Sequence, residues 1–190
     1  MMAKIKIVCL GDSTTFGFPY GHQDSWVKML SDEIFGEVLN KGINGNTTSD
    51  MLERFDKAVI ANKPDYVIIT GGINDVVCGE SQDRIKQNIM DMVEKALAHG
   101  IIPVLGIPTP VDYVPWERSL QKLRMWMREY AENLNIAIID FSKAFFDSEG
   151  NIKTELLLDD GGHPSREGYK QMFNQIDLSI FNIEEKESNT

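Results

Sequence analysis

Short continuous apolar runs alternate along the chain with longer segments whose apolar residues recur at helical spacing. This alternation limits the fold more than any other feature. The runs lie at 5–10, 38–39, 66–70, 101–105 and 136–139. A strand with one wet face alternates apolar and polar residues, whereas a strand covered on both faces is apolar throughout, so continuous runs imply a parallel sheet between two layers. Between the runs, helical stripes are formed by Trp26, Val27, Leu30 and Ile34, then by Met51, Leu52, Phe55, Ala58 and Val59. Ile85, Ile89, Met92, Val93, Ala96 and Leu97 form a third, Leu120, Leu123, Met127, Tyr130 and Leu134 a fourth, and Tyr169, Met172, Phe173 and Ile176 the last. Thr47 with Asp50 three residues on has the form of a capping box, and Gly100 suits a helix C′ position. Strand and helix in strict turn predict a three-layer α/β/α sandwich around a five-stranded parallel sheet. The expected domain covers residues 1–183, with a polar tail at 184–190. Pro103 cannot donate to a ladder, so the bounds of its run are the least fixed.

Charge and cysteine content then remove whole classes of function. Nineteen Lys and Arg stand against 29 Asp and Glu, a formal charge of −10. Such a surface repels phosphate backbones and anionic lipid, so no nucleic-acid partner is expected. No stretch approaches the roughly 20 apolar residues of a membrane span. The first apolar run is too short for a secretory signal, so the expected location is cytoplasmic. Two cysteines, Cys9 and Cys78, form neither a disulfide framework nor a metal motif. Nothing in the sequence specifies an oligomeric state.

In an open parallel sheet, ligands bind beyond the carboxyl ends of the strands. The segment just past each run is therefore where chemistry belongs. Gly11-Asp12-Ser13 follows the first run, Gly42-Ile43-Asn44-Gly45-Asn46 the second, and Gly71-Gly72-Ile73-Asn74-Asp75 the third. Asp159-Asp160-Gly161-Gly162-His163 precedes the last helical stripe. A nucleophilic serine needs a base, an exposed position and oxyanion donors. Ser13 leaves its strand through a turn that Gly11 permits, although Gly-Asp-Ser alone also reads as a simple strand-ending turn. Among the three histidines, His99 closes a helix, where an imidazolium suits the dipole, and His22 has no acid at a fixed local spacing. His163 has Asp160 three residues before it, which in a tight turn can place a carboxylate beside the ring; an incidental surface turn has the same pattern. Gly45 offers a backbone N–H with no side chain in the way. Asn74 offers an amide that could face a developing oxyanion, or merely form an Asx turn.

Taken together, GDST (11–14), the glycine of NKGINGNT (Gly45), GIND (72–75) and DGGHPS (160–165) resemble the four sequence blocks of the SGNH/GDSL hydrolases. The resemblance spans residues 5 to about 170, and Thr14 departs from it by standing where the GDSL motif has Leu. It implies a flavodoxin-like sheet and hydrolysis of carboxylic esters or thioesters without a metal or other cofactor. By that resemblance Ser13 is the nucleophile, His163 its base and Asp160 the acid that orients the imidazole. The backbone N–H groups of Ser13 and Gly45, with the Asn74 side chain, form the oxyanion hole. The partner is then a small-molecule ester, with acetylated sugars, lysophospholipids, aryl esters and acyl thioesters all open. Two other readings fit a doubly wound sheet. A nucleotide or flavin protein would carry a phosphate-cradling G-x-G-x-x-G or G-x-x-x-x-G-K-[ST] after the first strand, and neither is there. A non-catalytic binding module would need no complete Ser, Gly, Asn, Asp and His set. The segment IPTPVDYVPW (107–116), like Phe16, Phe18 and Tyr20, is a candidate for the substrate pocket or for surface packing.

Overall fold

All five strands run parallel in one sheet of order β2–β1–β3–β4–β5. They are β1 (Ile5–Gly11), β2 (Gly36–Gly42), β3 (Tyr66–Thr70), β4 (Ile102–Ile107) and β5 (Ala137–Asp140). The computed structural model describes residues 4–181; the polar tail expected at 184–190 lies outside them. In chain order the helices are α1 (Ser13–Phe16), α2 (Trp26–Glu33), α3 (Thr48–Glu53), α4 (Phe55–Ala58), α5 (Ile73–Val77), α6 (Gln82–Ala98), α7 (Val114–Leu134) and α8 (Arg166–Phe173). The result is the expected three-layer α/β/α sandwich.

Both faces of the sheet are covered, which is why its middle strands are apolar without alternation. On one face Val8, Leu10, Val67, Ile69 and Leu105 meet the stripes of α3, α4, α6 and α7. On the other, Ile7, Cys9, Ile68 and Val104 meet α2, α8 and a 3₁₀ turn at Phe141–Phe145. Each fully buried Leu, Ile, Val, Phe or Met side chain contributes roughly 1.5–3 kcal/mol by leaving water. β2 extends well beyond the apolar pair Val38 and Leu39. As an edge strand it is mostly half-exposed and accommodates Glu37, Asn40 and Lys41. Pro103 does sit within β4, where Ile102 N–H turns to the Asp65 carbonyl on the β3 side, at 2.9 Å. The next residue therefore faces β5, and pairing with β5 begins only at Val104, so no ladder bond is lost.

The stripe read as one helix from Met51 to Val59 is broken at Arg54, which leaves helical dihedrals (φ −93°, ψ 5°). The capping box at Thr47 and Asp50 is present, and Gly100 follows α6 at φ +68°. Among the described residues, no helix is long and apolar enough to cross a membrane. In this strand order the chain leaves β1 for one neighbour, β2, and returns past it to the other, β3. The crevice of such a sheet opens where the order reverses. Ser13 follows β1 and Asn74 follows β3, one on each side of that reversal.

Candidate active site

Asp12 shapes the turn that presents Ser13. Its buried carboxylate caps α1, with Oδ1 accepting from the Thr14 N–H and the Thr14 hydroxyl, both at 2.9 Å. Thr14, the departure from the GDSL pattern, thus holds the Asp12 side chain in place. Ser13 is the first residue of α1, so its own N–H has no partner within the helix. The last turn before α8 brings His163 to it: Nε2 lies 3.0 Å from Ser13 Oγ, and Nδ1 lies 2.6 Å from Asp160 Oδ2. The other Asp160 oxygen accepts the Gly162 and His163 N–H groups, each at 2.9 Å. Partial burial works to raise the Asp160 carboxyl. The backbone bonds and the imidazole outweigh it and hold the group below the usual carboxylate range. An ionised Asp160 only accepts, so Nδ1 carries the ring proton and Nε2 of the neutral ring faces the serine hydroxyl as acceptor. Asp159 is exposed and forms none of these bonds.

Asn74, in the first turn of α5, donates one amide hydrogen to the Asn46 carbonyl at 2.9 Å. That bond orients the amide and uses one of its two N–H groups, and Asn74 lines a cavity together with Ser13 and His163. Gly45 adjoins Asn46 in left-handed backbone (φ +78°), in open space, and is not part of the cavity wall. Its N–H donates to no carbonyl or side chain among the described residues. The structure thus brings Ser13, Asn74, Asp160 and His163 around one cavity and sets Gly45 on the loop tied to Asn74.

Beneath these residues lies a polar layer that motif reading left unassigned. Asp75, buried beside Asn74, accepts from the Thr48 N–H at 2.9 and 3.1 Å and from the Thr48 hydroxyl at 2.5 Å. Thr48 Oγ1 in turn accepts from Asn88 of α6 at 2.9 Å. Burial raises the Asp75 carboxyl despite the Thr48 bonds, and burial likewise raises that of Asp12. Arg54 reaches the end of β1 and Asn46. The available signal was polarity in apolar surroundings: Thr48, Arg54 and Asn88 all fall within helical segments otherwise read as core.

The cavity has a volume of about 220 Å³, with apolar walls from Ile73, Val77, Val111, Tyr113 and Trp116. The segment after β4 is therefore pocket wall. It is held to the catalytic turn by the Asp112 N–H, which donates to the Gly161 carbonyl at 2.7 Å. At its other side the Glu117 carboxylate, paired with buried Arg124, accepts the Val111 N–H. The aromatics after Ser13 lie elsewhere. Phe18 packs against the His163 ring at 4.5 Å and a tilt of 51°, Phe16 packs edge-on against His22, and Tyr20 lies under Arg166. His99 ends α6 with Nδ1 2.8 Å from the Lys95 carbonyl, a structural place. Among the described residues, no group of three or more His, Cys, Asp or Glu is arranged to hold a metal ion.

Residues 9–171 match the model of the GDSL-like lipase/acylhydrolase family. A solved structure of a G-D-S-L family protein from Desulfitobacterium hafniense DCB-2 superposes with a TM-score of 0.83 at 37% identity, over 90% of this chain and 97% of that one. An acetylxylan esterase of Geobacillus stearothermophilus is 30% identical, over 86% of this chain and 88% of its own length. The esterase TesA of Pseudomonas aeruginosa is 27% identical, over 86% and 81%.

Proposed function

The chain belongs to the GDSL-like lipase/acylhydrolase family and is a carboxylic-ester hydrolase; we propose that Ser13 is its nucleophile, His163 its base and Asp160 the acid that orients the base. The observation that carries this reading is the unbroken chain from Asp160 through His163 to Ser13 Oγ. Ser13 Oγ attacks the acyl carbon as its proton passes to Nε2, and the carbonyl oxygen becomes an oxyanion. The tetrahedral intermediate collapses, the ester C–O bond breaks, and the alkoxide leaves with the proton from His163. Water then attacks the acyl-Ser13 ester, again through His163, and frees the acid. The N–H groups of Ser13 and Gly45 and the Asn74 amide stabilise the oxyanion, where donors aimed at developing charge are most effective. Asp160 compensates the imidazolium in each half-reaction. A binding module without catalysis has no observation in its favour.

The cavity favours small acyl groups. At about 220 Å³ it is below the roughly 300–1,000 Å³ that encloses a drug-sized ligand, and the aliphatic and aromatic wall suits an acetyl to butyryl chain. A series of p-nitrophenyl esters from acetate to palmitate tests both points. The expected outcome is highest kcat/KM among the short esters, and loss of at least about 10⁴-fold in Ser13→Ala. A maximum at the long chains contradicts the pocket reading, and turnover retained by Ser13→Ala contradicts the nucleophile.

A further inference from the structure

Arg54 occupies the break between α3 and α4, half-buried, and its guanidinium turns inward to two neutral oxygens. Nε donates to Asn46 Oδ1 at 2.7 Å and Nη2 to the Gly11 carbonyl at 2.9 Å. Burial works against its charge, and no acidic side chain lies within ion-pair distance of it among the described residues. Its bonds gain less than a buried carboxylate pair would provide, but they add a side-chain bridge from the end of β1 to Asn46 beside the backbone bonds that already run through Ile43. Gly11 ends β1 two residues before Ser13, and its carbonyl also accepts the Ile43 N–H at 3.1 Å. Asn46 bonds at three atoms: its N–H goes to the Ile43 carbonyl, its carbonyl accepts the Asn74 amide, and its side chain accepts Arg54. Gly45 lies between these anchors in open space, so the direction of its N–H is set by its neighbours alone.

We infer that Arg54 is a positioning residue for the oxyanion hole: its planar fork, spanning the Gly11 carbonyl and Asn46 Oδ1, fixes the Gly45 N–H and, through the Asn46 carbonyl, the Asn74 amide relative to Ser13. The inference rests on the serine-hydrolase reading and adds a residue to it. A guanidinium presents its donors in one rigid plane, which is what two acceptors on different segments require; a lysine ammonium keeps the charge without the fork. Because the groups it places act on charge that develops in the transition state, its loss falls on kcat and not on KM.

The test is a mutant cycle on p-nitrophenyl acetate with Arg54→Met, Arg54→Lys, Asn74→Ala and the Arg54→Met/Asn74→Ala double variant, with Ser13→Ala as reference. Arg54→Met is expected to lower kcat on the order of 10- to 100-fold, the cost of misplacing catalytic groups by a fraction of an ångström to an ångström, with KM nearly unchanged. Arg54→Lys should not restore wild-type kcat. In the Asn74→Ala background the same Arg54 substitution should cost several-fold less, since the amide it places is already gone. An unchanged kcat, an effect on KM alone, or the full loss repeated in the Asn74→Ala background overturns the inference. If thermal melting shows that Arg54→Met does not fold, Arg54→Lys takes its place in the cycle under the same criteria. A Ser13→Ala variant as active as wild type brings down the serine-hydrolase reading itself. An unaffected Arg54 variant beside an inactive Ser13→Ala overturns this inference alone.

Discussion

Asp159 and Asp160 are adjacent carboxylates, and a shift of one position decides which of them His163 feels. Both are exposed, but Asp160 holds the imidazole and the backbone of its own turn, while Asp159 bonds to neither. Asp160→Asn is therefore expected to lower kcat by roughly 10²–10⁴-fold, through a disfavoured tautomer and an uncompensated imidazolium. Asp159→Asn should stay within a small factor of wild type, and steady-state kinetics on the pair checks the assignment; the reverse ranking would assign the other acid. The ionisation of the same residues sets the pH profile. Asp160 has its carboxyl held low, so it is already charged through the neutral region where imidazoles titrate. A group with a depressed pKa contributes its ionised form above the usual carboxylate range and loses it only as pH falls through the depressed value. Asp160 should then add no step of its own to the neutral limb of the profile, so log kcat/KM changes there with a slope no greater than one. A slope of two there would show that Asp160 takes up its proton together with the ring. At this scale the sequence was most legible: Ser13, Asn74, Asp160 and His163 each stand in a short block with its own chemical logic. Arg54, Thr48 and Asn88 were not, because their roles depend on contacts between segments 27 to 43 positions apart, which no local pattern records.

Each of the first four strands leads into one part of the site, so the elements must meet closely at their carboxyl ends. At that edge, the closest approach of backbone to backbone that a glycine permits is between the end of β2 and α1. A Cβ on Gly42 would lie 2.2 Å from the Phe16 nitrogen, 2.7 Å from its Cα and 2.8 Å from the Asp12 carbonyl oxygen. These are backbone atoms on both sides of Ser13, so no side-chain rotation relieves the clash. Gly42→Ala is expected to cost about 1–3 kcal/mol of stability, as overpacking does, and to lower kcat by displacing α1; chemical denaturation and esterase kinetics on one preparation check both. Wild-type stability and turnover in this variant would show that α1 moves freely without moving the nucleophile. The elements themselves were legible from apolar spacing because burial on both faces leaves that pattern. Where burial is one-sided or interrupted, the pattern failed: β2 is longer than its two apolar residues, and one predicted helix is two, parted where Arg54 turns inward to Gly11.

Across the whole molecule, a charge of −10 is concentrated by the site's own acids, since Asp12, Asp112 and Asp160 line the cavity and no Lys or Arg among the described residues does. The field should oppose anionic substrates. For acetyl-CoA, kcat/KM is expected to rise several-fold between about 0.01 M and 0.5 M salt as repulsion is screened, and to stay flat for an uncharged thioester. Equal salt dependence for the two would remove charge from the account of specificity. The central claim is that one serine, placed by the end of β1 and activated across the sheet by the turn before α8, carries the acyl group. Intact-mass spectrometry after treatment with a fluorophosphonate probe, followed by peptide mapping, tests that claim most directly. A single adduct on Ser13, absent from Ser13→Ala and slowed in His163→Ala, is the predicted result; an adduct on another serine such as Ser25 or Ser165, or undiminished labelling of Ser13→Ala, would contradict it.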